Sequence, residues 1–287
     1  MAPLPANLQS ALDTYRERVL NFRVTTISHL LSRIEDQASR EASSADQSDT
    51  ETQAAILRTL TKDYLRQHLP SSPSISRACD LLNNRPLLAE HFQLDGVLRG
   101  NVDVEKRQAW FTSVHNKLAR LREESNRSDS DWPAALTAEL QSLMINVPGI
   151  MQPGLNYRDH YGTDLFNPGF ESISDARVFS PSGDDELTLV WPGWDVAAAV
   201  RLAKGESNPS TALALFCRDE YDEENSSEWA WRYGICDEEW CSELFDDIES
   251  LLEWFATYGL PTEENVNRER IIVDWGWPKK FQNATFG

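Results

Sequence analysis

The apolar residues near the start of this chain follow one period and those near residue 230 follow another, which restricts the fold to a mixture of helix and sheet. Leu8, Leu12, Tyr15, Val19 and Phe22 are spaced 4-3-4-3, and the stripe then shifts to Leu20, Val24, Ile27, Leu31, Ile34 and Ala38 at the same spacing. No Gly or Pro interrupts the stripe, so residues 4–42 read as one long amphipathic helix. In EWAWRYGI the side chains alternate instead. Trp229, Trp231 and Tyr233 fall on one side and Ala230, Arg232 and Gly234 on the other, the period of a strand. The expected class is therefore α+β.

Helical signals continue through the first half. A second helix carries Ile56, Leu57, Leu60, Tyr64 and Leu65 and stops at Leu69-Pro70. A short helix runs through Leu81 and Leu82, and Pro86 opens another over PLLAEHF. Asp103 caps the next helix, whose apolar face is Val104, Phe111, Val114, Leu118 and Leu121. Residues 1–124 thus read as an all-helical scaffold or oligomerisation unit. The stripe at 4–42 serves either as the longest helix of a bundle or as a homodimerisation coiled coil.

SNRSDSD, residues 125–131, contains no apolar residue and reads as a linker. Beyond it, residues 132–287 read as a small α+β domain with one mixed or antiparallel sheet. Asp131 and Trp132-Pro133 open a short helix over AALTAELQSLM. ARVFS and ELTLVW are strands, Asp195–Ala203 is a short helix closed by Gly205, and TALALFC is a buried strand. Asp246 or Asp247 caps a helix over IESLLEWFATY, and RIIVDW is a last strand.

Charge and tryptophan divide along the same line. Residues 1–130 hold 17 Lys+Arg and 17 Asp+Glu, so residues 131–287 carry the whole net charge of −19. They also hold nine of the ten tryptophans. Between Leu215 and Phe255 there are 14 acids against Arg218 and Arg232, with Trp229, Trp231, Trp240 and Trp254 among them. Tryptophan buries a large apolar area, so the stretch reads as a folded acidic face rather than a tail. Such a charge disfavours nucleic acid and anionic membrane surfaces as direct partners and favours a basic protein surface. The candidate contact residues are Asp222, Glu223, Glu224, Glu228, Trp229, Trp231, Glu238, Glu239 and Trp240. The aromatic alternation at 229–233 has a second reading, as the core side of a sheet. Trp275 and Trp277 read equally as a docking motif or as a cover over the sheet.

Signals for chemistry are weak. Cys236-x4-Cys241 is at most half a zinc site, with no His nearby in sequence, and its disulfide reading needs an oxidising environment. The acidic runs at 184–186 and 219–224 lack the alternation and the Gly of a calcium loop. Asp237, Glu238, Glu239 and Glu243 offer paired carboxylates, the basis of an alternative reading as a carboxylate hydrolase. A further alternative is an acidic mimic of nucleic acid. No phosphate-binding, dinucleotide, zinc-protease or serine-hydrolase motif is present. The expectation is no catalytic residue, no metal and no cofactor. The N-terminus lacks an apolar signal region and carries Asp13 and Glu17, so the expected location is the cytoplasm, with the nucleus as the alternative.

The second half resembles the SUKH superfamily, which includes fungal regulators of cell-wall synthesis and bacterial toxin-immunity proteins. The resemblance covers about residues 131–260. Trp132-Pro133 is followed by Leu136 and Leu140, and the segment reaches Asn146-Val147-Pro148-Gly149. Phe245-Asp246-Asp247-Ile248 with Leu251 and Leu252 stands where the family begins its closing helix. Trp replaces the family's Leu, Asn and Gly are separated, and Phe245 is displaced. The resemblance implies a binding module without catalytic residues.

Overall fold

The computed structural model describes residues 3–44, 94–125, 132–133, 135–151, 153, 164–167, 176–180, 191, 193–203, 211–219, 228–236 and 241–257, with backbone alone over 26–44. The expected helices within 52–93, the expected strands at 186–190 and 270–275, and Trp275 and Trp277 lie outside these residues. The described elements are α1 (Ala6–Ser44), α2 (Val104–Glu124), α3 (Ala138–Asn146), β1 (Ile150–Met151), β2 (Asp164–Leu165), β3 (Val178–Phe179), β4 (Trp194–Arg201), β5 (Thr211–Asp219), β6 (Ala230–Cys236) and α4 (Ile248–Phe255). The protein is α+β. Its main sheet is antiparallel with order β3-β4-β5-β6, and β1 and β2 pair separately.

The chain forms two compact units. One comprises Met1–Tyr15, Val97–Gln152 and Asp159–Tyr258, and the other Arg16–Gly96, Pro153–Arg158 and Gly259–Gly287. Helix α2 is thus grouped with the sheet, across the 125–131 stretch. The physical reason is visible along α2. Trp110, Val114 and Leu118 are buried, and Lys117 donates to the carbonyl of Ala176, just before β3. Arg107 is buried too, donating to the carbonyls of Phe166 and Pro148 at 2.7 Å each. The expected α2 face was right for Val114 and Leu118, but Phe111 and Leu121 are only partly buried and Trp110 replaces them. Asp103 caps α2 as expected, accepting from the Lys106 amide.

In the sheet unit, α1 contributes Leu8, Leu12 and Tyr15, all nearly inaccessible. The Tyr15 ring stacks on Phe255 of α4, and its hydroxyl donates to the carbonyl of Met151. In the other unit, Val19, Leu20 and Val24 are buried, and Arg23 Nε donates to the Pro153 carbonyl at 3.0 Å. Phe22, also in the stripe, is only partly buried.

Strand β4, Trp194–Arg201, stands in place of the expected helix over Asp195–Ala203. Alanine favours helix intrinsically, but by well under a kilocalorie per residue. Here Ala197, Ala198 and Ala199 are fully buried in an inner strand whose backbone pairs on both sides. Small side chains are what this place accepts. Ala199 sits between Phe179 and Leu215, and Ala198 lies opposite Phe216. A register shift between Val196 and Ala198 marks a bulge. The helix expected after Trp132-Pro133 begins later, because Thr137 caps it by accepting from the Leu140 amide at 3.2 Å. Trp132 is buried before it.

Strand β6 alternates as its sequence requires. Trp231, Tyr233 and Ile235 face one way. The Tyr233 hydroxyl meets Thr137 Oγ1 at 2.8 Å, and the Trp231 indole donates to the Ala135 carbonyl at 2.8 Å. The opposite face holds a cluster of Trp191, Val196, Ala199, Leu213, Leu215, Cys217 and Cys236. The Trp191 indole is fixed over it by donating to the Ser242 carbonyl at 2.7 Å. Gly234 makes that closure possible. A Cβ there would lie 2.8 Å from both Trp191 Cζ2 and Leu244 Cδ2. Gly234→Ala is expected to lower unfolding stability by about 1–3 kcal/mol through overpacking, checked by urea denaturation of the two proteins. A loss under a few tenths would show that Trp191 yields freely.

Candidate interaction face

The interaction residues expected from sequence divide in two. Asp222, Glu223, Glu224, Glu238, Glu239 and Trp240 lie outside the described residues. Glu228, Trp229 and Trp231 are described, at the N-terminal end of β6. Glu228 is exposed, Trp229 is partly buried, and Trp231 is 8 % exposed with its indole used inside the fold. Trp231 supports the face more than it forms it.

The aromatic group at this end of the sheet is built from facing strands. Phe216 of β5 pairs with Trp231 of β6. Its ring stacks on Trp229 with centroids 5.7 Å apart and meets Trp231 edge-on at 5.4 Å. Arg218 follows two residues along β5, on the same side. Its guanidinium lies 4.9 Å from the Trp229 ring centre, and Nη2 donates to Asp195 Oδ2 at 3.1 Å. Asp195 and Arg218 are directly opposite in the β4–β5 ladder. The acceptor is thereby placed by strand pairing, while the cation is held over the ring.

Arg232 has the same arrangement on the other face of the sheet. It lies 4.5 Å from the Trp194 ring centre, donates from Nε to Asp246 Oδ1 at 2.8 Å, and donates from Nη1 to the Cys217 carbonyl at 2.9 Å. Arg218 and Arg232 are the two cations of the 215–255 stretch. Each is therefore engaged by one tryptophan and one aspartate. Both cations are visible in the sequence but neither arrangement is, since the ring partners arise from strand pairing or from a segment 38 positions away.

The adjacent aspartates before α4 have separate roles. Asp246 holds Arg232, and Asp247 caps α4 by accepting from the Ser250 amide at 2.7 Å. Helix α4 buries Ile248, Leu251, Leu252 and Phe255, spaced for one face. Glu139 of α3 is partly buried near its N-terminus. Burial raises its carboxyl above the usual range, with Asp247 and Glu249 adding to the rise. Burial likewise raises the Tyr233 phenol and lifts the Cys217 thiol to about 11. Burial lowers Arg107 to about 10. Among those residues, no group of three or more His, Cys, Asp or Glu side chains is placed to hold a metal ion. No described helix is long and apolar enough to cross a membrane.

Compared with protein families, with curated proteins and with solved structures, the chain finds no match in any of the three.

Glu139 supplies a pH-dependent test of this environment. A carboxyl whose folded pKa lies above its unfolded value costs stability when ionised, and that cost disappears as pH falls through the folded value. Glu139→Gln is therefore expected to be more stable than the wild type at pH 7. The gain should shrink as pH falls towards 4.5, the ordinary Glu value. Thermal midpoints of both proteins across that range check it, and a variant less stable at pH 7 would contradict it.

Proposed function

We propose that this is a non-enzymatic, intracellular regulatory protein whose C-terminal region, residues 132–287, binds a basic protein surface. The observation that carries the reading is the engagement of Arg218 and Arg232. Both cations of the 215–255 stretch are committed to ring and carboxylate partners within the fold. The stretch carries a net −12, from 14 acids and two arginines, which favours a basic partner. Surface acidity of this kind acts mainly on association, by steering a basic partner, and on rejection of acidic ones.

Trp229 is the anchor in this reading. It is partly buried, rigidly backed by Phe216, and flanked by exposed Glu228. A pre-positioned aromatic loses little freedom on binding. Asp222, Glu223, Glu224, Glu238, Glu239 and Trp240 complete the proposed contact set. The order α3, strands, α4 supports the proposed kinship with the SUKH superfamily, whose members of that shape are binding modules. The proposed location is the cytoplasm.

The test is stopped-flow association of the full-length protein with the basic protein it captures, across a salt series. Association is expected to slow by about tenfold or more from low to high salt, with dissociation changing less. Asp222→Asn, Glu223→Gln and Glu224→Gln together should reproduce the high-salt rate. Trp229→Ala should speed dissociation while costing about 2 kcal/mol of stability, below the ~3–5 of a fully buried tryptophan. An association rate indifferent to salt and to the triple neutralisation would overturn the reading and leave the acidity as a solubility device.

A further inference from the structure

Cys236 and Cys241 face each other across an antiparallel bridge at the end of β6. The Ser242 amide donates to the Ile235 carbonyl at 2.8 Å, the bond that flanks the pair and makes it a non-hydrogen-bonded position of the ladder. At such positions the two side chains leave the same face, and the Cα atoms stand about 4.5 Å apart. A disulfide requires Cα atoms about 4.4–6.8 Å apart with converging Cβ vectors. A pair at a position of this kind falls within that range. Neither residue is in a disulfide in this structure.

Two more observations separate the roles of the sulfurs. Cys241 is exposed, whereas Cys236 is 3 % exposed and belongs to the apolar cluster under Trp191. An oxidant from solvent reaches the first and not the second. Arg201 of β4 shares the sheet face with Cys236 and attracts its thiolate, while Arg177 repels Arg201. The Arg201 Nε is buried and has no hydrogen-bond partner. A cation on the same face stabilises a thiolate where one forms, and the thiolate is the attacking form. Cys217 also has an arginine beside its sulfur, Arg232, but no second cysteine faces it: its ladder partners are Val196 and Ala230.

We propose that Cys236 and Cys241 are a reversible dithiol–disulfide modification site, oxidised by a hydroperoxide and reduced by a dithiol. The Cys241 thiolate attacks one peroxide oxygen, the O–O bond breaks, and Cys241 becomes a sulfenic acid as the first water leaves. The Cys236 thiolate then attacks the Cys241 sulfur, the S–O bond breaks, and hydroxide leaves to be protonated as the second water. Each sulfur loses one electron and hydrogen peroxide gains two. Reduction by a dithiol reverses the bond through exchange and leaves that dithiol as a disulfide. The bond joins the two ends of 237–240, the segment that contains Glu238, Glu239 and Trp240. The inference does not depend on what that segment binds.

The experiment treats reduced full-length protein with one equivalent of hydrogen peroxide, alkylates remaining thiols, and maps peptides by mass. The expected peptide containing Cys236 and Cys241 is unalkylated and two hydrogens lighter, and dithiothreitol restores two alkylatable thiols. Cys241→Ser should abolish this product. Cys236→Ser, with its fold checked by circular dichroism, should accumulate Cys241 sulfenic acid, trapped by dimedone about tenfold above the wild type. Arg201→Gln should slow closure by about fivefold, with Arg201→Lys recovering most of the rate. Equal closure rates in all three would overturn the role given to Arg201. Independent alkylation of both cysteines after peroxide, or wild-type Cys241 recovered as sulfinic acid, would overturn the site. The wild-type mass decides the question even if a variant fails to fold.

Discussion

Seven consecutive residues of β5, Thr211–Cys217, are buried, and their backbone donors and acceptors have no water to turn to. Strands β4 and β6 satisfy them, one on each side, over nearly the full length of β5. That requirement sets much of the sheet unit. It makes β4 a strand despite its alanines. It fixes which residues share a face with Leu213 and Leu215 and which with Ala214 and Phe216. It also places the Arg218–Asp195 pair at one end of the sheet and puts Arg201 and Cys236 on one face near the other. A one-residue slip would exchange the two faces completely, and burial on both sides makes such a slip prohibitive.

Polar groups in this unit follow a common pattern. A side chain that loses water gains a carbonyl, a carboxylate or a ring. Arg107 gains two carbonyls, Arg232 gains a carbonyl, a carboxylate and a ring, and the Trp191 and Trp231 indoles each gain a carbonyl. Such bonds contribute modestly when made but cost about 1–3 kcal/mol when a buried group is left without them. The Arg201 Nε and the Trp132 indole nitrogen depart from the pattern, each buried with no hydrogen-bond partner. Phe166 is another local cost: its backbone is left-handed at φ 61°, and its carbonyl is held by Arg107.

Much of the local structure was legible because its cause is local. Asp103 and Asp247 cap helices through their own side chains, the Leu8–Val24 stripe needs only the helical period, and the β6 alternation needs only a strand. The candidate face was legible in composition alone. Nothing within ten residues of Arg218 announces Asp195, and nothing near Arg232 announces Trp194. Trp231 read as a contact residue because its indole partner, the Ala135 carbonyl, lies 96 positions away. The Cys236–Cys241 spacing was visible, but whether its sulfurs share a face depends on the bridge register.

The sequence by itself determined an α+β protein, the helix caps at Asp103 and Asp247, the strands with clear period, and the concentration of acid and tryptophan in the second half. These depend on side-chain spacing and on groups within a few residues of one another. Tertiary structure alone decided that Trp194–Arg201 is a strand, that α2 is grouped with the sheet, and that both arginines of the acidic stretch are engaged internally. Each of these depends on burial against, or pairing with, elements far away in the chain. A weak helical propensity yields where a second strand can satisfy the backbone, and charge becomes an accessible surface only after the fold has chosen which ions neutralise each other.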